Sequence, residues 1–300
     1  MAVPKVSIGM PVYNGEQFLS RSIESLLEQT FADFELVISD NGSTDQSPEL
    51  IRKYAAMDSR IRYELNDVNR GAAWNYNHVR ELAHPHARYV KWAAADDEHL
   101  PDYLSRTVAI LEQDPTVVLA HTKTADIDES GSRLRTYDQP VAQLMSDFPA
   151  VRIRDLVTMR HECFQAFGLV RAWAARMTRG HGAYPDADNV YLVELALLGR
   201  FVEDPHVAFL RRQHASRSMV AFVNQRERMK WFDPNRAGSR ALPYWRTGGE
   251  LVRAIARTPL TAKQRRDCYR SLSVFIDNNW QGLAKNLLRA ASVGWVRDAR

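Results

Sequence analysis

The chain has 300 residues, 45% hydrophobic and 25% charged, proportions that fit an ordinary globular protein and exclude a disordered or fibrous one. Cys163 and Cys268 are the only cysteines, which excludes a disulfide framework and a cysteine metal cluster and makes a reducing compartment the default. Residues 226–300 carry 16 Lys and Arg against 6 Asp and Glu, so the net charge of +4 hides a basic tail on an acidic body. Such a tail suggests an anionic partner such as a membrane surface, a polyanion or a nucleic acid, unless it is a solvated helical face.

No apolar run approaches the roughly 18 residues that cross a bilayer. The start, Met1 to Lys5, enters a strand-like run with no leader pattern. The expected location is therefore cytoplasmic, peripheral on the inner face of the membrane if residues 226–300 dock there.

Lys5 to Val12 reads as a buried strand, followed by the turn signal Tyr13-Asn-Gly15. Leu19, Ile23, Leu26 and Leu27 then recur at helical spacing. Phe34 to Ser39 is a second strand, with Thr44 or Asp45 placed to cap a helix running to about Met57. Ile61 to Leu65 is a third strand; a turn at Asn69-Arg-Gly71 and a helix to about Ala83 follow it. Arg88 to Ala94 is a fourth strand, ending at the paired carboxylates Asp96 and Asp97. Strands alternating with helices predict a doubly wound, mostly parallel sheet. All four polar clusters then fall at the carboxyl ends of strands, the edge where such sheets bind ligands. An acidic pair at the end of a buried strand needs water, a cation or a polar ligand to satisfy it.

A helix over Pro101–Gln113 and a strand over Thr116–Ile127 follow, then a loop-like stretch at 128–150 that could cover a site. A turn-rich loop, 180–188, feeds a helix over Asn189–Leu198. Two short strands, Arg200–Glu203 and Val207–Arg212, close this half. Beyond His214 the chain turns basic and helical. Thr261 and Gln264 have capping-box spacing, and Cys268, Leu272, Phe275 and Ile276 form an apolar stripe. Leu283, Leu287, Leu288 and Ala291 form another, with Trp280 and Trp295 near the ends.

Four segments resemble family 2 glycosyltransferases: Val6-Ser-Ile-Gly-Met-Pro-Val-Tyr-Asn-Gly-Glu16, Val37-Ile-Ser-Asp-Asn-Gly-Ser-Thr-Asp45, Asn69-Arg-Gly71, and Asp96-Asp97 with Leu100-Pro101. The resemblance is strong over about residues 4–125 and loose over about 160–218. It implies a GT-A fold, a Rossmann-like doubly wound mixed sheet flanked by helices, here with a C-terminal helical extension. It implies a catalytic domain over 1–218, with a nucleotide-sugar half to about 125 and an acceptor half over 126–218, and a basic extension over 219–300. The implied reaction is inverting transfer of a sugar from a nucleoside-diphosphate sugar to a hydroxyl of a glycan or lipid-linked acceptor, in cell-surface polysaccharide or glycolipid assembly.

Residue by residue, Pro11, Tyr13 and Glu16 match the family's first nucleotide-contacting segment, and Asp40 its base-reading carboxylate. Asn69 and Gly71 lie at its third loop. Asp96 and Asp97 match the end of its metal motif, which implies a divalent cation, Mn or Mg, with Asp96 also facing the ribose. Asp188 matches the base that takes the acceptor's proton, with Asp186 in reserve. His214 is a candidate third metal ligand or, with Arg217, a phosphate contact. Trp74, Trp92 and His161 are candidates to line a sugar pocket.

Two departures weaken the cation site, because affinity for hard cations follows ligand charge. The family's earlier acid is Ala94 here, and Asn41 stands where an Asp is commoner. The competing reading is a glycosyltransferase-like protein that binds nucleotide or glycan without turnover. No glycine-rich phosphate loop supports a nucleotidyltransferase, no Gly-x-Gly-x-x-Gly supports a dinucleotide enzyme, and no base-reading motif supports nucleic acid as a partner.

Overall fold

Alternation builds the first half. The computed structural model describes residues 3–138, 142–158, 162–217, 225–236 and 242–295. Strand β1 (Val6–Val12) leads to helix α1 (Glu16–Leu27), β2 (Phe34–Asp40) to α2 (Ser47–Met57), and β3 (Ile61–Leu65) to α3 (Ala72–Leu82). Strand β4 (Tyr89–Trp92) returns to the far side of β1. The four strands are parallel in the order β3-β2-β1-β4, so the chain reverses its direction of travel across the sheet between β1 and β4. That crevice is where an open α/β sheet binds its ligand. Every residue of β2 is buried, as befits a strand covered on both faces.

The second half is mixed. Its elements are β5 (Glu98–His99), α4 (Tyr103–Gln113), β6 (Val117–Ile127), β7 (Arg133–Thr136), α5 (Pro149–Thr158), β8 (Leu169–Arg171), α6 (Ala172–Met177), α7 (Ala187–Leu198) and β9 (Arg200–Arg212). β8 lies antiparallel between β4 and β6; β9 runs parallel to β6 and antiparallel to β5. Helices cover both faces. On one face α1, α2 and α4 bury Leu19, Ile23, Ile51 and Leu104 against Ile8 and Met10. On the other, α3, α5 and α7 bury Val79, Ile153 and Val193 with Trp92 and Val118.

Two expectations change. Arg200–Glu203 and Val207–Arg212 form one strand, not two. Pro205 lies where the β6 register jumps from Thr122–Asp204 to Lys123–Val207, so the ring that cannot donate to a ladder sits in an irregularity and the strand continues past it. The 128–150 stretch is not all loop: β7 pairs with β6, and Leu144 is fully buried in a 3-10 turn (Ala142–Met145), while residues 139–141 lie outside the described residues.

Three further helices follow, α8 (Gln225–Phe232), α9 (Pro243–Arg257) and α10 (Ala262–Trp295). Leu251, Ala254 and Ile255 of α9 and Cys268, Leu272 and Phe275 of α10 share one buried cluster with α5 and α7. A fully buried Leu, Ile or Phe contributes about 1.5–3 kcal/mol, so these helices are held by burial, whatever their charge. The capping box forms: Gln264 N–H donates to Thr261 Oγ1 at 3.2 Å and Thr261 N–H to Gln264 Oε1 at 3.0 Å. Ile276, next to buried Phe275, is turned about 100° around the helix and is 56% exposed, as are Trp280 (60%) and Leu288 (70%). Among the described residues no helix is long and apolar enough to cross a membrane.

Candidate functional site

A cleft of about 1190 Å³ opens at the carboxyl ends of β1, β2 and β4. The loops after β1 and β2 are laced together there. Asn14 Oδ1 accepts from Thr44 N–H at 2.9 Å, and Gly15 N–H donates to Ser47 Oγ at 2.9 Å. Glu16 N–H donates to Asp45 Oδ2 at 3.0 Å, while Gln46 N–H donates to Glu16 Oε2 at 2.8 Å. Asp45 thus joins two helix starts: its Oδ1 also accepts from Ser47 N–H at 3.0 Å. Pro11 and Tyr13 line the cleft, Tyr13 47% exposed; Glu16 does not line it, because its carboxylate is spent on this lacing.

Asp40 is 1% exposed. Its Oδ2 accepts from Ser43 N–H at 2.9 Å, and its buried Oδ1 has no hydrogen-bond partner among the described residues. An unpaired buried acceptor of this kind costs about 1–3 kcal/mol until a donor arrives. Asn41 beside it organises the loop after β3. Its Nδ2 donates to Asn69 Oδ1 at 3.0 Å and to Gly71 O at 3.2 Å, and its Oδ1 accepts from Arg70 N–H at 3.1 Å. Sequence counted Asn41 as a lost acidic ligand; the structure shows an amide whose donor half an aspartate could not supply. Asn69 lines the cleft. Gly71 has φ +91°, and a Cβ there would come within 2.5 Å of Phe232 O, so only glycine lets α8 close on this loop.

Asp96 and Asp97 line the cleft at the end of β4, as expected. Their turn is pinned from below by Arg212, which is fully buried at the end of β9. Arg212 N–H donates to Asp97 Oδ1 at 2.9 Å and its Nε to Asp96 O at 3.1 Å, and its guanidinium pairs with Glu98. His214, two residues on, places Nε2 2.9 Å from Asp96 Oδ2 and Nδ1 2.8 Å from Ser216 Oγ. Burial, then the charge of Asp96, pushes the Asp97 carboxyl above its ordinary range, against the Arg212 N–H, Arg217 and Arg211.

Among the described residues no three His, Cys, Asp or Glu side chains form a metal-ligand group. The donor set still fits a hard cation that takes its remaining ligands from a diphosphate and water, the usual habit of Mg²⁺. Asp96 and Asp97, with the His214 imidazole 2.9 Å from Asp96 Oδ2, are the side chains that would face it.

Asp188 lines the same cleft from the first turn of α7. It does not cap the helix: the cap position is Asp186, with φ +64° and no side-chain cap bond. Burial and then Asp188 raise the Asp186 carboxyl, while Arg228 opposes. Of the aromatic candidates, Trp92 lines the cleft with its Nε1 donating to Tyr76 O at 2.8 Å. Trp74 instead stacks on His78 at 4.3 Å under the Arg70 guanidinium, away from the cleft. His161 lies outside the described residues.

Among the cleft residues that sequence reading missed are four polar or aromatic ones near the acids. Asn75 bridges β1 and β2, its Nδ2 donating to Ser39 O at 2.9 Å, and its buried Oδ1 is free of partners among the described residues. Tyr76 lies among Asp96, Asp97 and Asp188: burial first, then those three charges, raise its hydroxyl. His181 stacks on Tyr76 at 5.1 Å and on Phe232 at 5.7 Å; burial lowers its imidazole, opposed by Asp188. Asn77 clamps its backbone, donating to His181 O at 2.7 Å and accepting from its N–H at 2.9 Å. Arg211 donates to Asp126 Oδ1 at 2.8 Å and to Glu162 Oε2 at 2.7 Å.

Residues 7–176 match the family profile described as Glycosyl transferase family 2. The chain belongs to that family. A putative glycosyltransferase EpsE of Bacillus subtilis (strain 168) is 37% identical over 131 residues, 43% of this chain and 46% of the relative. The chondroitin synthase of Pasteurella multocida (strain Pm70) is 24% identical over 95% of this chain but only 30% of its own length. The matched stretches thus span less than half of these curated family relatives. Among solved structures, S. aureus TarS 1–349 superposes with a TM-score of 0.56 at 16% identity, covering 93% of this chain and 90% of that one. The mannosyltransferase PcManGT from Pyrobaculum calidifontis, in complex with GDP-Man and Mn²⁺, superposes with a TM-score of 0.54 at 18% identity, over 96% and 75%. At these identities the likeness establishes the fold, which is GT-A.

Proposed function

We propose that this family 2 member is an inverting glycosyltransferase that moves a sugar from a nucleoside-diphosphate sugar to a hydroxyl of a glycan or lipid-linked acceptor, in cell-surface polysaccharide or glycolipid assembly. The observation that carries the reading is the cleft that gathers Asp96, Asp97 and Asp188, with the buried, partnerless Asp40 Oδ1 directly behind its lining residue Asn41. TarS has been crystallised with UDP and with UDP-GlcNAc, and PcManGT with GDP-Man and Mn²⁺, which supports a nucleotide-sugar donor and a divalent cation here.

Asp40 Oδ1 accepts the ring N–H of the base, and Pro11, Tyr13 and Asn69 flank the nucleoside. Glu16 acts through the lacing that holds Tyr13, and Gly71 through the closed loop. Asp96 faces the ribose, and Asp97, Asp96 and His214 hold a cation, Mn²⁺ or Mg²⁺. Such a cation would supply positive charge against the leaving diphosphate. Asp188 takes the acceptor hydroxyl's proton as that oxygen attacks the anomeric carbon from the face opposite the diphosphate. Arg217, near Asp97, adds positive charge beside the phosphates. In this reading residues 1–218 are the catalytic domain and 219–300 the extension. The protein works in the cytoplasm, with the basic extension docked on the inner leaflet.

Asp188→Asn is expected to keep nucleotide binding within about twofold and to lower kcat by about 10²–10⁴-fold, the range of a general base. Release of nucleoside diphosphate from a panel of donors checks it; full activity in the variant would remove Asp188 from the role. The second reading, binding without turnover, is favoured by Ala94 in place of an acid. Nucleotide binding without donor cleavage by the wild type would select it.

A further inference from the structure

The cleft does not end at Asp188. Beyond it, the wall is made by the C-terminal helices. Tyr244, Thr247, Phe275, Asn278 and Asn279, from α9 and α10, all line the space. This wall is built, not accidental. The Tyr244 ring rests on Gly282, where a Cβ would come within 2.5 Å of it, and the ring keeps a share of its surface open. Phe275 packs in the same way on Gly248, where a Cβ would come within 3.2 Å of its ring. Two glycines at the crossing of α9 and α10 thus fix two aromatic rings.

The polar groups tell more. Thr247 is 3% exposed, and its buried hydroxyl has no hydrogen-bond partner among the described residues. A threonine inside a helix ordinarily returns its hydroxyl to the backbone one turn earlier. Asn279 holds its amide nitrogen on Phe275 O at 2.8 Å, which fixes the side chain with its oxygen as acceptor. Asn278 is exposed to the cleft. None of the five is charged, although residues 226–300 carry 16 Lys and Arg against 6 acids. Flat rings with neutral amides and a hydroxyl suit a pyranose, which has an apolar C–H face and a rim of hydroxyls that both donate and accept. A lipid chain would leave the amides and Thr247 unpaired, and an anionic head group would find no cation among the five.

We propose that Tyr244, Thr247, Phe275, Asn278 and Asn279 form the subsite that holds a pyranose ring of an acceptor glycan. The ring stacks on Tyr244 while its hydroxyls pair with Thr247, Asn278 and Asn279. The acceptor is therefore read in large part by the C-terminal helices rather than by residues 126–218 alone. This deepens the glycosyltransferase reading and rests on it for the direction of transfer.

The test uses the full chain, fluorescently labelled, on a printed array of bacterial oligosaccharides of two to six pyranose units, with UDP and MnCl₂ present. In parallel the thermal shift by UDP and GDP is read on the same samples. The wild type is expected to bind a subset of the glycans. Tyr244→Ala and Asn278→Ala, both at exposed positions, are expected to lower that signal by about tenfold or more, and Tyr244→Phe to stay within about twofold, since the ring does the stacking. All variants keep the wild-type nucleotide shift. Wild-type array patterns in the two alanine variants, or no glycan binding by a wild type that responds to nucleotide, overturn the subsite. Tyr244-dependent glycan binding with no nucleotide shift in the wild type overturns the donor reading and leaves the subsite standing.

Discussion

Asn41 shows how much of this site depends on single amides. It is 1% exposed, and its side chain makes three hydrogen bonds, two as donor and one as acceptor, all to the loop carrying Asn69 and Gly71. Asn41→Ala strands those groups. The expected loss is about 1–3 kcal/mol, read as a lower thermal midpoint together with a weaker shift by nucleoside diphosphate. A normal midpoint with a weaker shift would mean that Asn41 touches the ligand directly. The residue scale is also where sequence was least informative. Asp96, Asp97 and Asp188 stand out because the resemblance carries the family's metal motif and base position onto them. Asn75, Tyr76 and His181 do not, because nothing local says that α3 and the loop held by Asn77 converge on one cleft.

At the scale of elements, β9 does the joining. It lies between β6 and β5 and delivers Arg211, Arg212 and His214 to the site. Asp126 of β6 anchors that end. Its carboxylate, 2% exposed, receives Arg211, Arg135 and the Tyr137 hydroxyl. Burial alone would raise its pKa, but the hydrogen bonds from Arg211, Tyr137 and Arg135 outweigh it and pull the value down to about 2. A depressed acid stabilises the fold at pH above its unfolded value near 3.8, and that stability is lost as pH falls toward 2. The difference amounts to about 2 kcal/mol. In Asp126→Asn the drop in thermal midpoint between pH 4 and pH 2 is expected to be shallower than in the wild type; identical slopes would remove Asp126 from the acid response.

The first four strands were legible because each is an apolar run with a turn signal behind it. β5 was not, since two residues carry no period, and the unity of β9 was hidden by Pro205. Helix α10 was legible at its start, where Thr261 and Gln264 form the capping box, and misjudged on one face, where Ile276 turns to solvent.

For the whole molecule, the charge asymmetry and the burial pattern point to two uses of one extension. The apolar faces of α9 and α10 close the core over α5 and α7. A flank of α10 shows Tyr269, Ile276 and Trp280, with the exposed Arg266 and Arg270 beside Asp267, and this is the face proposed to meet an anionic leaflet. At low salt the full chain is expected to float with vesicles containing anionic lipid and to stay behind with neutral ones. Equal behaviour with both would exclude charge-driven docking.

Under the proposed function, one cleft binds a nucleoside diphosphate through Asp40 and a cation through Asp97. The most direct measurement is calorimetric titration of UDP, dTDP, GDP and ADP, each with and without Mn²⁺, into the wild type and Asp97→Ala. One diphosphate binding only with Mn²⁺, and losing that dependence in Asp97→Ala, is the expected result. No binding of any diphosphate under either condition would contradict it.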